Sequence, residues 1–169
     1  QSNGKIVLAG HANNTDGTND DFALLRYNTD GNLDTTFGTG GKLTTHFFAS
    51  PDDREEQAEA VAIQADGKIV AAGWTMNPDG QIVFALARYN VNGTLDTSFD
   101  VDGRVTTKLR AKPEDDADFI RDVVIQPDGK IVVTGMSYDS VKDSSDFATV
   151  RYLSNGTLDS TFGSNGIVI

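Results

Sequence analysis

The motif Gly-Lys-Ile-Val occurs three times in this chain of 169 residues, at steps of 63 and 62 residues, beginning at Gly4, Gly67 and Gly129. An Arg-Tyr pair recurs with nearly the same period, beginning at Arg26, Arg88 and Arg151. A Leu-Asp pair follows each time, with a Phe three residues after the Asp, at Phe37, Phe99 and Phe162. A regular period of this length is typical of a repeat protein, in which each unit buries its apolar faces against its neighbours. The repeat therefore predicts the architecture, although it does not identify a ligand.

The middle unit reads as four short strands joined by turns. Val61–Ile63 is apolar, Lys68–Ala72 is almost continuously apolar, Gln81–Tyr89 alternates, and Arg104–Leu109 alternates polar residues with apolar residues or Thr. Asp-Gly and Asn-Gly pairs between these segments are strong hairpin-turn signals. We predict an all-β, β-propeller-like fold of tandem four-stranded antiparallel blades. A three-fold β-prism and a β-trefoil, which also use three four-stranded units, are the alternatives.

The period divides the chain into three units, residues 1–48, 49–110 and 111–169, which together form one repeat domain or a segment of a larger one. The first unit lacks a counterpart of the strand Val61–Ile63, and the last strand stops halfway at Ile169. We therefore expect units that are incomplete at both ends and belong to a longer array. Open sheet edges would then pair with other repeat units or with copies of the chain, in a fibre or a closed ring.

Charge and composition exclude several classes of partner and site. The formal net charge is −11, which disfavours binding to nucleic acid and to anionic membranes. The absence of Cys excludes thiolate chemistry, thiolate metal sites and disulfides. No stretch approaches the ~20 apolar residues of a membrane-spanning helix, so we expect no membrane insertion.

Each repeated Arg has an Asp eight residues later, in the pairs Arg26 and Asp34, Arg88 and Asp96, and Arg151 and Asp159. The arginines lie within predicted strands, where an unpaired charge is costly to bury. A ring of anion-binding arginines is one interpretation. A bidentate Arg–Asp pair that acts as a structural clip within each blade is the other, and we favour it because the partners recur together.

Acidic residues in the linkers and loops are candidate Ca²⁺ ligands, because Ca²⁺ takes six to eight oxygen ligands. The candidates are Asp16, Asp20, Asp21, Asp52, Asp53, Asp115, Asp116, Asp139 and Asp143. No unit contains the spaced Asp-x-Asp-x-Asp-Gly loop, so a solvated acidic surface is the alternative interpretation. We predict no cofactor other than a possible Ca²⁺ ion.

The repeated motifs resemble those of the delta-60 repeat family. The resemblance covers essentially the whole chain, and its matching segments include Asp21–Ala23, Asp146–Ala148, Gly31–Phe37 and Gln126–Val132. The middle unit departs from the pattern at Val83, where the other units have Asp. The resemblance implies β-propeller-like tandem repeats of large, mostly bacterial and often exported proteins, with no established activity, catalytic residue or cofactor.

The sequence and the resemblance together predict a structural or interaction repeat module of a bacterial surface or secreted protein. The two histidines, His11 and His46, fit neither a Ser-His-Asp nor a metal-type pattern, so we expect no enzyme. The alternative is an adhesive module that binds Ca²⁺ or carbohydrate, for which Trp74 and Tyr138 would offer a stacking surface. Surface glycans or proteins are accordingly further candidate partners.

Overall fold

The computed structural model describes residues 1–13, 20–48, 55–110 and 117–169, which contain eleven β-strands and no helix. The strands are β1 (Ile6–Asn13), β2 (Asp20–Tyr27), β3 (Lys42–Thr45), β4 (Glu56–Ile63), β5 (Ile69–Met76), β6 (Ile82–Tyr89), β7 (Arg104–Thr107), β8 (Ala117–Ile125), β9 (Ile131–Asp139), β10 (Ser144–Tyr152) and β11 (Ile167–Val168). Within these ranges no helix is long and apolar enough to cross a membrane.

The strands form three antiparallel meanders in which each strand pairs with the next along the chain. Unit 1 contains β1–β3, unit 2 contains β4–β7 and unit 3 contains β8–β11. A single parallel backbone pair, Ile82 with Ala117, joins units 2 and 3 into one continuous sheet. The predicted all-β class with tandem antiparallel blades is therefore confirmed.

The three units differ mainly in their first and last strands. β1 occupies the position that β5 and β9 occupy in the later units, so unit 1 has three strands where units 2 and 3 have four. β11 contains two residues, against four in β3 and β7. The incompleteness predicted at both ends is thus present in the fold. The sheets span residues 6–45, 56–107 and 117–168, and the unit boundaries proposed at 48/49 and 110/111 stay predictions.

A β-bulge explains a repeated Gly that lies six residues after the first Gly of the motif in units 2 and 3. The pairing of β4 with β5 shifts register after Ala58, and that of β8 with β9 shifts after Ile120. A Cβ atom at Gly73 or at Gly135 would lie 1.9 Å from a backbone oxygen of the preceding strand. Only glycine allows the two backbones to approach this closely.

The apolar core lies between successive units. The first cluster lies between units 1 and 2 and contains Phe22, Leu24, Phe37, Phe47, Ala58, Ile69, Ala71, Ala85, Ala87 and Tyr89. The second lies between units 2 and 3 and contains Val70, Ala72, Phe84, Leu86, Phe99, Val105, Ile120, Val123, Ile131, Val133, Ala148, Val150 and Tyr152. Each sheet therefore contributes one face to the junction with the unit before it and the other face to the junction with the unit after it.

Candidate functional site

The Arg–Asp pairs lie at the same place in every unit. The Nε atom of each Arg donates to Oδ2 of its Asp, at 2.6 Å for Arg26 and Asp34, 2.7 Å for Arg88 and Asp96, and 2.8 Å for Arg151 and Asp159. The backbone N–H of each Asp also donates to the carbonyl oxygen of its Arg, at 2.8–2.9 Å. This backbone hydrogen bond brings the chain back after eight residues, so the two side chains lie side by side.

Each Asp is further surrounded by donors that the sequence reasoning missed. In unit 2, Asp96 accepts hydrogen bonds from Lys68 Nζ at 2.9 Å, from Ser98 Oγ at 2.7 Å and from Ser98 N at 3.1 Å. Burial raises the pKa of Asp96, but the hydrogen bonds from Lys68 and Ser98 and the charge of Arg88 outweigh it and hold the pKa well below its usual range. Lys68 belongs to the Gly-Lys-Ile-Val motif, which recurs with the period of the repeat. This recurrence was the sequence signal that could have identified Lys68 as a partner of Asp96.

The lysines of the other two units occupy the same position. Lys5 Nζ lies 2.6 Å from Asp34 Oδ2, and Lys130 Nζ lies 3.1 Å from Asp159 Oδ2. The repeated feature is therefore a group of one carboxylate and two cations. Its stabilising role is a prediction that requires a stability measurement.

The guanidinium groups also connect one unit to the next. Arg26 Nη1 donates to the carbonyl oxygen of Val91 in unit 2, and Arg88 Nη1 donates to that of Ser154 in unit 3. The Arg88 guanidinium stacks over the Phe99 ring at 4.6 Å, a cation–π arrangement found in all three units. The donors of Arg26 and Arg88 thus face acceptors of the protein itself, which argues against an anion-binding ring at these two positions.

One further contact repeats at both junctions. Tyr89 Oη donates to Thr45 Oγ1 across the first junction, and Tyr152 Oη donates to Thr107 Oγ1 across the second, both at 2.7 Å. Burial raises the pKa of both tyrosines, and the threonine hydroxyls oppose that effect. The two junctions are therefore built from equivalent side chains in equivalent places.

A glycine in each following unit makes room for an aromatic ring. A Cβ atom at Gly93 would lie 2.9 Å from the Phe37 ring, and one at Gly156 would lie 3.0 Å from the Phe99 ring. Both glycines have positive φ, as their Asn-Gly turns require. The turn of one unit is thus seated against the Arg and Phe of the unit before it.

Each end of the repeat presents one face that no described residue covers. The trailing face, on unit 3, is formed by Phe147, Thr149, Arg151 and Phe162. Phe147 is 91% exposed, whereas its counterparts Phe22 and Phe84 are both fully buried. The difference arises because units 2 and 3 cover those counterparts.

The leading face, on unit 1, is formed by Ile6, Leu8, Leu25 and Tyr27. Ile6 is 54% exposed and Leu8 is 48% exposed. The counterparts of Ile6 in units 2 and 3, Ile69 and Ile131, are fully buried. The leading and trailing faces therefore carry the two halves of the junction that occurs twice inside the chain.

The candidate calcium ligands that the structure describes do not converge on one place. Asp16, Asp52, Asp53, Asp115 and Asp116 lie outside the described residues. Asp139 pairs with Arg110 and Lys142, at 2.9 and 3.3 Å, and Asp143 accepts a hydrogen bond from Tyr138 Oη at 2.9 Å. Asp20, in unit 1, accepts from Asn13 at 2.8 Å. Of the described candidates, Asp21 alone belongs to a mixed group of metal-type donors.

That group joins Asp21 to His46 and Glu56, and one donor atom from each lies within 4.8 Å of the other two. Asp21 lies in β2, His46 directly follows β3 and Glu56 begins β4, so the group spans the junction of units 1 and 2. Burial raises the pKa of Glu56 to about 7, the Phe47 N–H opposes this shift, and the charge of Asp21 adds to it. Sequence reasoning missed the group because Glu56 belongs to an acidic linker and His46 aligns with Lys108.

Trp74 does not form an open stacking surface for a sugar. Its indole is buried and packs edge to face on Phe119, with 5.5 Å between the ring centroids. Its Nε1 atom donates to Glu59 at 3.3 Å. The role that the carbohydrate alternative assigned to Trp74 is therefore wrong, because the indole is buried at the junction of units 2 and 3.

Comparison with protein families finds one match, repeated three times. A family described as "Domain of unknown function (DUF5122) beta-propeller" matches residues 1–37, 64–99 and 126–162. Each match ends at the Phe under the repeated Arg and includes the complete Arg–Asp pair. The match supports the β-propeller-like repeat expected from the resemblance, whereas the delta-60 name stays a prediction. A comparison with curated proteins finds no match.

Proposed function

The chain belongs to this β-propeller repeat family, and from that premise we propose that it is a structural and interaction module that binds further repeat units at its two end faces. The proposal rests above all on Phe147, which is 91% exposed where the equivalent Phe of each other unit is fully buried. A large aromatic side chain stabilises the folded state when a neighbour covers it, by about 1.5–3 kcal/mol. We infer that another unit of the same repeat covers Phe147.

The two end faces are complementary because they continue junctions already present in the chain. Arg151 on the trailing face has the Asp and Phe partners of Arg26 and Arg88, but no described carbonyl accepts its Nη1. The leading face carries the turn Thr29–Gly31. Its counterpart in unit 2 is the turn in which the Val91 carbonyl oxygen accepts a hydrogen bond from Arg26. Gly31 has a φ of +82° and no heavy atom within 4 Å of an added Cβ. Each end thus supplies what the other end lacks.

The free edge of β1 supports the same occupant. Gly10 is the counterpart of Gly73 and Gly135. At those two positions the preceding strand of the same sheet lies too close to leave room for a Cβ atom. No atom lies within 4 Å of a Cβ built at Gly10. We infer that a strand equivalent to β4 or β8 pairs along β1 by β-augmentation, supplied by another unit or another copy.

The module would act by presentation, with rigid sheets holding loops that meet surface glycans or proteins. The proposal assigns no catalytic step to the chain and, following the resemblance, places it outside the cell or on a bacterial surface. Two copies joined head to tail would bring together six units, within the four to eight blades of closed propellers. A junction that does not close would extend into a filament.

Sedimentation velocity over a hundredfold range of concentration tests the proposal on the 169-residue chain. We expect association that increases with concentration, and we expect Phe147→Asp to prevent it because a charge would replace the covered ring. Val101→Asp is the matched control, since Val101 is also highly exposed but lies in a turn of unit 2. A wild-type chain that stays monomeric throughout, or equal effects of the two substitutions, would overturn the proposal.

A further inference from the structure

The junction between units 1 and 2 contains one imidazole and two carboxylates, contributed by three separate segments. We propose that Asp21, His46 and Glu56 form a binding site for a divalent transition-metal ion such as Zn²⁺. The ion would connect the two ligands from unit 1 to the one from unit 2. This inference concerns a junction inside the chain, so it does not depend on association between copies.

The positions of the donor atoms suit a small cation. The three donor atoms lie within 4.8 Å of one another, and His46 Nδ1 lies 3.0 Å from Asp21 Oδ1. In tetrahedral zinc sites, bonds of about 2.0–2.2 Å place neighbouring donors about 3.4 Å apart. Modest side-chain rotations therefore complete the geometry. The His46 side chain is 60% exposed, so it is free to rotate and leaves a route for the ion and for a water ligand.

Two of the three side chains in the group are buried carboxyl groups. Asp21 is 4% exposed and Glu56 is 2% exposed, so two buried carboxyl groups lie close together. The Phe47 N–H donates to both oxygens of Glu56, at 2.9 and 3.1 Å, and Thr75 Oγ1 donates to one of them at 3.3 Å. These hydrogen bonds orient the carboxylate but do not remove its charge.

The charge of Arg104 acts on Glu56, but the Arg104 guanidinium itself binds other groups. It forms an ion pair with Asp102 at 2.5 Å and donates from Nη1 to the backbone carbonyl of His46. Arg104 thus binds the backbone of the residue that supplies the imidazole.

At the second junction, a guanidinium of unit 2 contacts acidic groups of unit 3. Arg110 donates to Ser137 Oγ at 3.1 Å, to Asp139 Oδ2 at 2.9 Å and to Asp146 Oδ2 at 2.7 Å. Ser137 is the counterpart of Thr75 in unit 2, and Asp146 is the counterpart of Val83 in unit 2 and of Asp21 in unit 1. A guanidinium from unit 2 thus binds three acceptors of unit 3.

The first junction has an apolar residue where the second has that guanidinium. The counterpart of Arg110 is Phe48, which has no charge, and the counterparts of Asp21 and His46 in unit 2 are Val83 and Lys108. Among the described residues, the group of metal-type donors lies at the first junction, where this position is occupied by Phe48. A bound ion there would connect unit 1 to unit 2, as Arg110 connects unit 2 to unit 3 at the second junction.

The donor set identifies the class of ion. Ca²⁺ prefers six to eight oxygen ligands, whereas an imidazole with two carboxylates suits Zn²⁺ and its transition-metal neighbours. Three protein ligands leave at least one position for water. We expect the ion to stabilise the junction, since binding that requires both folded units raises the stability of the native state.

Zinc titration by calorimetry on protein without a histidine tag tests the site. We expect the wild type to bind one Zn²⁺ per chain and His46→Asn to bind Zn²⁺ at least about tenfold more weakly. Loss of a group that only supports a metal ligand already lowers metal affinity by about tenfold or more. The chain has two histidines, so His11→Asn is the matched control and should bind like the wild type. His46 is exposed, and its replacement should leave the fold and its circular dichroism spectrum unchanged.

Thermal unfolding with Zn²⁺ and with a chelator provides an independent measurement. The wild type and His11→Asn should melt at a higher temperature with Zn²⁺, whereas His46→Asn should not respond. The absence of zinc binding in the wild type would overturn the proposal. Equal zinc affinities of the wild type and His46→Asn would do the same, because they would indicate adsorption to the acidic surface.

Discussion

Replacing Asp96 by Ala removes the carboxylate at the centre of the Arg–Asp pair in unit 2. Asp96 accepts hydrogen bonds from Arg88 at 2.7 Å, from Lys68 at 2.9 Å, and from Ser98 N and Oγ at 3.1 and 2.7 Å. The substitution leaves the buried Arg88 guanidinium over the Phe99 ring without a counter-ion. Its remaining partners are then the Ser98 hydroxyl and the carbonyl oxygen of Ser154 in unit 3.

We expect the free energy of unfolding to fall by about 3–5 kcal/mol, the usual cost of breaking a buried ion pair by removing one partner. For a chain of this length, 1 kcal/mol corresponds to about 2–4 °C in Tm, so the melting temperature should fall by about 6–20 °C. Urea denaturation and calorimetry at neutral pH would measure both quantities. The double variant Arg88→Met with Asp96→Ala should recover part of the loss, because it removes the unpaired charge as well.

Asp159→Ala is the matched control in unit 3. The Arg151 side chain is 20% exposed, against 6% for Arg88, and the carbonyl partner from a following unit is absent from the described residues. Water can therefore solvate Arg151 when its partner is removed, and the loss of stability should be smaller. An unchanged melting temperature in Asp96→Ala, or equal losses in the two variants, would refute the reasoning.

Three further predictions follow from equivalent positions in the units. The pKa of each paired Asp lies below the unfolded value of 3.8, so the folded state binds fewer protons than the unfolded state. The stabilisation by these carboxylates should therefore be present above about pH 4 and should decline as the pH falls further. Acid titration followed by circular dichroism would measure this decline. Phe84→Ala should destabilise the chain by about 3–5 kcal/mol in urea denaturation, whereas Phe147→Ala should change it by less than about 0.5 kcal/mol in dilute solution, because only the first ring is buried. Gly73→Ala should lower the melting temperature, whereas Gly10→Ala should not. Of these two positions, an added Cβ atom would lie 1.9 Å from a backbone oxygen at Gly73 and would meet no atom within 4 Å at Gly10. Equal effects of the two substitutions would contradict the role given to the preceding strand.

The strands and their order could be predicted because their signals are local. A period of 62–63 residues, alternating side chains and turn dipeptides are all read within one unit, and the structure contains the four strands predicted for unit 2. The approach of Arg88 to Asp96 could be predicted for the same reason, since eight residues of a turn bring them together. Lys68 was overlooked, although its recurrence in the Gly-Lys-Ile-Val motif carried the same kind of signal.

The sequence by itself determined what each unit is: a small antiparallel sheet with an Arg and an Asp at a constant spacing. Only the tertiary structure decided how these sheets meet, and therefore that Arg88 also binds unit 3 and that Asp21, His46 and Glu56 come together. Phe84 and Phe147 occupy the same position in their repeats, yet one is buried and the other exposed. The physical reason is that burial depends on whether a neighbouring sheet covers the side chain, and that neighbour is distant in sequence.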